Sequence, residues 1–322
     1  MEKQYDVVAL GELLIDFTDN GRSGQGNLLM EVNPGGAPCN VLAMLRKLGH
    51  SCAFIGKVGD DMFGKLLRDT IEEAGIVTDG LLTDPDARTT LAFVKTDERG
   101  DRDFSFYRNP GADMMLRADE LPEEMLRAAR IFHFGTLSMT HEGVREATRR
   151  AAQIAKESGA LLSFDPNLRP PLWKDLGEAR EQIEWGLGVC DILKIADNEG
   201  EFLTGRSDPK EAAAILHERY PQIRMFNITL GPEGSYHEAG GDSVYAPAFT
   251  CGGTIETTGA GDVFCACVLD AVLAHGGSEM TKEEIKEALH FANAAAYLVT
   301  TKKGVIRVVP AREEIEALRL KE

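Results

Sequence analysis

Short apolar segments alternate with amphipathic segments along most of this chain, and this alternation restricts the fold more than any other feature. The apolar segments have strand length, and the segments between them have helical period, two of them ending at Gly49 and Gly75. The predicted strands are 7–10, 52–58, 131–134, 161–164, 192–195 and 225–230, and the predicted helices are 41–48, 63–74, 142–158, 179–187, 209–220 and 263–274. This order predicts an α/β fold with a mostly parallel central sheet and helices on both faces.

Two stretches, roughly 12–33 and 88–110, interrupt this order because they show strand alternation without helical period. In the second stretch, apolar segments at 89–94 and 104–107 flank a Glu-Arg-Gly-Asp turn at 98–101, which predicts a β-hairpin. We expect a small β-sheet at the carboxyl ends of the core strands, where ligands of such sheets bind, and we expect it to cover a ligand as a lid. An edge extension or a dimer contact is the alternative.

The composition excludes several classes of partner. The chain has 35 basic and 52 acidic residues, and the formal net charge of −17 argues against nucleic acid and anionic membranes, which need positive patches. Six cysteines without a C-x-x-C pair argue against a zinc ribbon or a redox motif. No secretory leader or membrane-length apolar run is evident, which predicts a cytoplasmic location. No repeat or linker divides residues 1–322, which predicts a single domain.

The segment 256–274 carries the strongest chemical signal. Gly259, Ala260 and Gly261 precede Asp262, and an almost wholly apolar helix follows. Small residues at the positive end of a helix dipole let backbone N–H groups converge on an anion without any basic side chain. Asp262 is then either a helix N-cap or a general base that takes a proton from a hydroxyl group as this group attacks phosphorus.

This segment resembles the D-T-x-G-A-G-D block of the ribokinase-like (PfkB) carbohydrate kinases, and residues 33–41 resemble the N-terminal G-G-x-x-x-N block of that family. The blocks occur in the family's order, and the resemblance covers essentially the whole chain. It implies phosphorylation of a primary alcohol on a small, sugar-like substrate by ATP with Mg²⁺. It also implies that Asp262 is the catalytic base, and that Gly259, Ala260 and Gly261 form the anion site.

The resemblance further implies a set of sugar-binding residues. A carboxylate such as Asp16 can accept two hydroxyl hydrogen bonds at once. The implied set is Asp16, Gly35, Gly36, Asn40, Arg108, Asn167 and Arg169. From the residues alone, Asp16 is equally compatible with a strand-end turn, Asn40 with a simple helix start, and Arg108 with an exposed lid position.

On the nucleotide side, the resemblance implies that Asn198, Thr229, Gly231, Gly234 and Asn293 bind ATP. Glu201, the second fixed position of an N-x-x-E motif, would act on Mg²⁺ through water, in keeping with the water-retaining chemistry of this ion.

One position departs from the family's usual pattern. The family usually has Asp where this chain has Glu256, beside a monovalent-cation site. Glu256 and Thr258, with the turn at 302–304, match the surroundings of that site, so K⁺ activation stays an open question.

Three segments, 104–113, 164–173 and 300–304, resemble the fructokinase branch of the family. The 2-keto-3-deoxygluconate kinases share the D-P-N-x-R element at 165–169, and Arg108 could pair with the carboxylate of such a sugar acid. Fructose is the predicted substrate, and the sugar acid is the alternative. A non-catalytic regulator that binds a sugar or a nucleotide is the alternative of a different class. The expected partners are a small sugar and ATP, and a homodimer through the lid is compatible with its edges.

Overall fold

The computed structural model describes residues 3–96, 102–238, 243–277 and 279–321. The strands within these ranges are β1 (Tyr5–Leu10), β2 (Leu14–Arg22), β3 (Leu28–Gly35), β4 (Cys52–Gly59), β5 (Val77–Asp84), β6 (Leu91–Thr96), β7 (Arg102–Tyr107), β8 (Ala129–Gly135), β9 (Leu161–Asp165), β10 (Ile192–Ala196), β11 (Met225–Thr229), β12 (Gly234–Glu238) and β13 (Val244–Pro247). The helices are α1 (Ala37–Lys47), α2 (Met62–Glu73), α3 (Glu123–Arg127), α4 (Glu142–Glu157), α5 (Leu176–Val189), α6 (Asp197–Thr204), α7 (Pro209–Arg219), α8 (Ala260–Ala274), α9 (Lys282–Thr300) and α10 (Arg312–Arg319).

Nine strands form the central sheet, in the order β13-β12-β11-β10-β9-β8-β1-β4-β5. The strands from β11 to β5 in this order are parallel, whereas β12 and β13 pair antiparallel at one edge. Each predicted strand and helix is present, with its ends displaced by no more than four residues. The predicted α/β fold with a mostly parallel sheet is therefore confirmed.

Both faces of the central sheet are buried by helices. Along β1, Val7 and Ala9 point into the apolar cluster formed with α1, α2, α8, α9 and α10, and Val8 and Leu10 point into the cluster formed with α3 to α7. Strands covered on both sides need apolar residues at successive positions, which explains the short apolar runs of the sequence. Helix α8 is apolar around most of its circumference because it lies inside the first cluster.

A second sheet of four strands has the order β3-β2-β6-β7 and is called the smaller sheet below. It begins directly after the carboxyl end of β1, and its β2 and β6 are parallel while the outer pairs are antiparallel. The rings of Phe17 and Phe93 stack across β2 and β6 with centroids 4.8 Å apart. The antiparallel pair β6–β7 agrees with the predicted hairpin, whose turn at 98–101 lies outside the described residues.

Within the described ranges, no helix combines the length and the apolar composition that a bilayer crossing requires.

The burial of α8 makes its leucines suitable probes of the core. Leu269 is completely buried, whereas Leu176 at the start of α5 is 45% exposed. We expect Leu269→Ala to lower the free energy of unfolding by about 2–5 kcal/mol, because the deleted atoms leave a cavity. The matched variant Leu176→Ala should change it by about 0.5 kcal/mol or less. Urea unfolding curves measure both, and equal losses would contradict the placement of α8 in the core.

Candidate active site

A cavity of about 310 Å³ lies at the carboxyl ends of the parallel strands, with the smaller sheet forming part of its wall. Asp16 of β2 and Phe106 of β7 line it from that sheet. The opposite side comes from the loop after β9, from β10 and from the start of α8. Of the residues predicted for the site, those that line the cavity are Asp16, Gly36, Asn40, Asn167, Arg169, Thr229, Gly231, Thr258, Gly259, Gly261 and Asp262.

Asp262 lies in the first turn of α8 and is 8% exposed. Its Oδ2 accepts a hydrogen bond of 2.7 Å from Nδ2 of Asn40, near the start of α1. The N-cap of α8 is Gly259, so the interpretation of Asp262 as an N-cap is wrong. Burial raises the pKa of Asp262, and the hydrogen bond from Asn40 and the charges of Lys194 and Arg169 counteract this rise. The result is a buried carboxylate of increased basicity that faces a cavity.

The backbone before Asp262 packs closely against neighbouring residues. Gly259 has φ 75°, and a Cβ on it would lie 2.4 Å from Cγ2 of Val305. The first N–H groups of a helix have no partner within the helix, so those of Gly261 and Asp262 are available to an anion. Ala260 differs from the prediction, since its N–H donates to the carbonyl of Thr257 at 3.3 Å.

A buried lysine that was not predicted from the sequence lies beside the N-terminus of α8. Lys194 in β10 is 6% exposed and lines the cavity, and a Cβ on Gly261 would lie 2.9 Å from its Nζ. Its Nζ lies 3.1 Å from Oδ2 of Asp165. Burial lowers the pKa of Lys194, but Asp165, Glu199 and Asp262 together raise it above the ordinary value. Lys194 therefore places a permanent positive charge next to the predicted anion site.

A second residue without a predicted role is Glu12, directly after β1. It lines the cavity, and its Oε1 accepts a 2.9 Å hydrogen bond from N–H of Ala37. Burial raises the pKa of Glu12 to about 7. A Cβ on Gly36, whose φ is 131°, would lie 2.4 Å from the carbonyl oxygen of Glu12, and one on Gly35 would lie 2.5 Å from Oδ2 of Asp16. The two glycines thus permit close packing against Glu12 and Asp16, and their predicted contact with the sugar stays a prediction.

Arg108 is not the exposed lid residue that one interpretation predicts, and it does not line the cavity. Its side chain is 3% exposed and lies with its Nη2 2.6 Å from Oδ2 of Asp113. Its guanidinium also donates to Thr140 and to the carbonyl of Leu137. These contacts engage the guanidinium outside the cavity lining, and the predicted contact of Arg108 with the sugar stays a prediction.

The residues of the N-x-x-E motif lie on α6, and the roles predicted for Asn198 and Glu201 stay predictions. Asn198 and Glu201 are exposed on α6, and neither lines the cavity. Between them, Glu199 is 4% exposed and accepts hydrogen bonds from N–H of Leu168 at 2.6 Å and of Ala196 at 2.7 Å. Residues two positions apart on a helix lie on nearly opposite sides, which turns Glu199 inward and Glu201 outward. Glu199 thereby fixes the loop after β9, which carries Asn167 and Arg169.

Two residues predicted for nucleotide binding have structural contacts. Nδ2 of Asn293 donates to the carbonyls of Ala246 and Pro247, at 3.0 Å each, and therefore ties α9 to β13. Gly234 has φ 119°, and a Cβ there would lie 2.2 Å from the carbonyl oxygen of Ala246. Neither lines the cavity, so their roles toward ATP stay predictions.

The predicted monovalent-cation residues lie together. Oγ1 of Thr258 donates to Oε1 of Glu256 at 2.7 Å, and N–H of Gly304 lies 3.4 Å from Oε2 of Glu256. The side chain of Glu256, longer than the usual Asp, therefore reaches the turn at 302–304, which the family resemblance places beside this cation site.

Comparison with known proteins agrees with this geometry. The family model described as pfkB family carbohydrate kinase matches residues 4–312. Fructokinase-1 of Zea mays is 42% identical over 311 residues, which are 96% of this chain and 96% of that protein. Probable fructokinase-2 of Arabidopsis thaliana is 41% identical over 97% of this chain and 94% of its own length. The crystal structure of a fructokinase with bound ATP from Xylella fastidiosa has a TM-score of 0.88 and 29% identity, and the match covers 98% of this chain and 99% of that one. The chain belongs to the pfkB family of carbohydrate kinases.

Proposed function

We propose that this protein is a fructokinase, which transfers the γ-phosphoryl group of ATP to D-fructose and forms fructose 6-phosphate and ADP. The observation that carries the proposal is the buried Asp262, hydrogen-bonded to Asn40 and placed at the N-terminus of α8 inside a cavity of sugar size. The names of the relatives at 41% and 42% identity support the choice of fructose. The Xylella fastidiosa structure, described as a fructokinase with bound ATP, supports the choice of ATP.

In the proposed reaction, the sugar lies between Asp16 and Asn40. Oδ1 of Asn40 is buried and has no hydrogen-bond partner among the described residues, so a sugar hydroxyl would satisfy it. Asp262 takes the proton from the primary hydroxyl as its oxygen attacks the γ-phosphorus. The N–H groups at the start of α8 and the ammonium group of Lys194 stabilise the charge on the transferred group. Closure of the smaller sheet as a lid keeps water out.

The residues around α6 fit Mg²⁺. Asp197 lines the cavity, and Glu201, one helical turn further, shares its exposed face, so that both present hard oxygen donors. Bound Mg²⁺ would neutralise phosphate charge. Glu256 and Thr258 likewise offer oxygen ligands suited to K⁺, an ion present in a Vibrio cholerae O395 fructokinase double mutant bound to fructose and ADP.

We also propose that the chain acts as one domain and that two copies pair through the smaller sheet. Its edge strands expose Leu28 and Val32 on β3 and Tyr107 on β7. A cytoplasmic location stays a prediction.

The substrate is tested by ADP release with Mg-ATP and D-fructose, 2-keto-3-deoxygluconate, ribose or adenosine, each with and without K⁺. We expect D-fructose to give the highest kcat/KM. Preference for the sugar acid would move the assignment to the alternative kinase, and Arg169, which lines the cavity, would then be the guanidinium to test. Absence of turnover with every acceptor would contradict the proposal and favour a binding regulator.

Activation by K⁺ that is lost in Glu256→Gln would support the cation site.

The base is tested with Asp262→Asn, which keeps the size of the side chain. We expect kcat to fall by about 10²–10⁴-fold, because the proton acceptor is lost. Asp270→Asn is the matched control on the same helix, since Asp270 pairs with His50 and Arg312 far from the cavity. Turnover near that of the wild type in Asp262→Asn would contradict the role of Asp262.

The charge of Lys194 is tested with Lys194→Met. We expect kcat to fall by about 10²-fold, the usual effect of removing one donor from an anion site. The charge of Lys194 lowers the pKa of Asp262, so its removal should move the acid limb of the kcat/KM profile to higher pH. Lys57→Met is the control, because Lys57 is equally buried in β4 but binds Glu120 outside the cavity. An unchanged acid limb would contradict the electrostatic role.

A further inference from the structure

A buried arginine connects the smaller sheet to a wall of the cavity, and the proposed reaction does not use it. Arg108 directly follows β7, and its Nε donates to Oδ2 of Asp113 at 2.8 Å. Both side chains are almost completely buried, at 3% and 2% exposed. A buried ion pair costs desolvation free energy that geometry and further hydrogen bonds must offset, so every remaining donor matters.

The remaining donors of Arg108 bind the turn after β8. Nη1 donates to Oγ1 of Thr140 at 2.8 Å, and Nη2 donates to the carbonyl of Leu137 at 2.9 Å. Oγ1 of Thr140 in turn donates to the same carbonyl at 2.9 Å. Leu137 lines the cavity, so the guanidinium fixes one wall of the site from behind.

The other oxygen of Asp113 binds the segment that leads into β6 of the smaller sheet. Oγ1 of Thr90, the residue before β6, donates to Oδ1 of Asp113 at 2.6 Å. The carbonyl of Thr90 accepts a hydrogen bond from N–H of Ile15, the neighbour of Asp16 in β2. One network therefore contacts the start of β6, the end of β7 and the cavity wall.

The network leaves no space for a side chain at position 111. A Cβ on Gly111 would lie 1.8 Å from Oγ1 of Thr90 and 2.6 Å from Oδ1 of Asp113. Any side chain at position 111 would therefore separate Thr90 from Asp113. The same Cβ would lie 2.9 Å from Cγ of Arg108, so a side chain at position 111 disturbs the network without removing the guanidinium.

We propose that Arg108 is a positioning residue, which through Asp113 holds the start of β6 and the end of β7 in register with the Leu137 wall, so that the smaller sheet closes over the sugar and excludes water. The inference rests on the proposed function, in which that sheet encloses the acceptor. If the register is lost, sugar binding weakens more than ATP binding. Water then competes with the sugar for the γ-phosphorus, which gives ADP and inorganic phosphate instead of ADP and sugar phosphate.

The test uses the full chain with Arg108→Lys, Gly111→Ala and Thr140→Val. Lysine keeps the charge but lacks the planar fork that binds three groups at once. Arg180→Lys is the control, because the guanidinium of Arg180 binds the backbone carbonyls of Leu203 and Phe202 outside the cavity. The readouts are KM for fructose and for ATP, the ratio of ADP to sugar phosphate formed, and hydrogen exchange of the β2 and β6 amides compared with those of β9.

In Arg108→Lys and Gly111→Ala we expect KM for fructose to rise by about tenfold, with KM for ATP nearly unchanged. The ratio of ADP to sugar phosphate should exceed one. Hydrogen exchange should become faster in β2 and β6 only. Thr140→Val should show the same pattern more weakly, and Arg180→Lys should match the wild type. Equal changes in both KM values, a ratio of one, or faster exchange throughout the chain would overturn the proposal and assign Arg108 a purely structural role. A wild type inactive on fructose would contradict the proposed function alone, because the exchange pattern still decides the role of Arg108.

Discussion

The hydrogen bond between Asn40 and Asp262 is the contact on which the rest of the site depends. It joins residues 222 positions apart and brings the N-terminal ends of α1 and α8 to one point. A buried carboxylate is tolerated only where donors and positive dipoles compensate for lost water, and two helix N-termini supply part of that compensation. The apolar faces of both helices lie in one cluster of the core. Packing of that cluster therefore sets the position of the catalytic carboxylate, and a shift of either helix would move the base and its hydrogen-bond donor apart.

The central sheet explains why the charged groups meet where they do. Parallel strands end at the same edge, so Asp165 at the end of β9 and Lys194 within β10 become neighbours although they are 29 positions apart in the sequence. Glu199 then binds the loop that follows Asp165, through N–H of Leu168. The smaller sheet begins after the carboxyl end of β1, which has the same direction as β9 and β10, and so lies over the same edge. The positions of the site and of the smaller sheet thus both follow from the common direction of the seven parallel strands.

Much of this arrangement could be predicted from sequence, because it depends on local patterns. Apolar runs predicted six of the seven parallel strands, all except β5, and the Gly-Ala-Gly-Asp segment indicated the anion site. The strands β12 and β13 were not predicted, since polar residues such as His237 and Glu238 are buried in β12. Lys194 and Glu12 were missed because their partners lie 29 and 25 residues away. Arg108 was predicted to bind the substrate because its partners Leu137 and Thr140 are distant in the sequence, and no local pattern indicates these contacts.

The site must accept the anion ATP although the chain carries a formal net charge of −17. Carboxylates crowd the cavity, and fully ionised they would repel the phosphates. Burial raises the pKa of Glu12 to about 7, so this carboxyl group carries a partial proton near neutral pH and its repulsion is reduced. The ion pair with Lys194 offsets the charge of the buried Asp165. Lys194, Arg169 and the N-terminus of α8 lie on the same side of the cavity and add positive potential. Local neutralisation of acids, together with a few fixed positive groups, thus outweighs the distant surface charge, which solvent and salt screen.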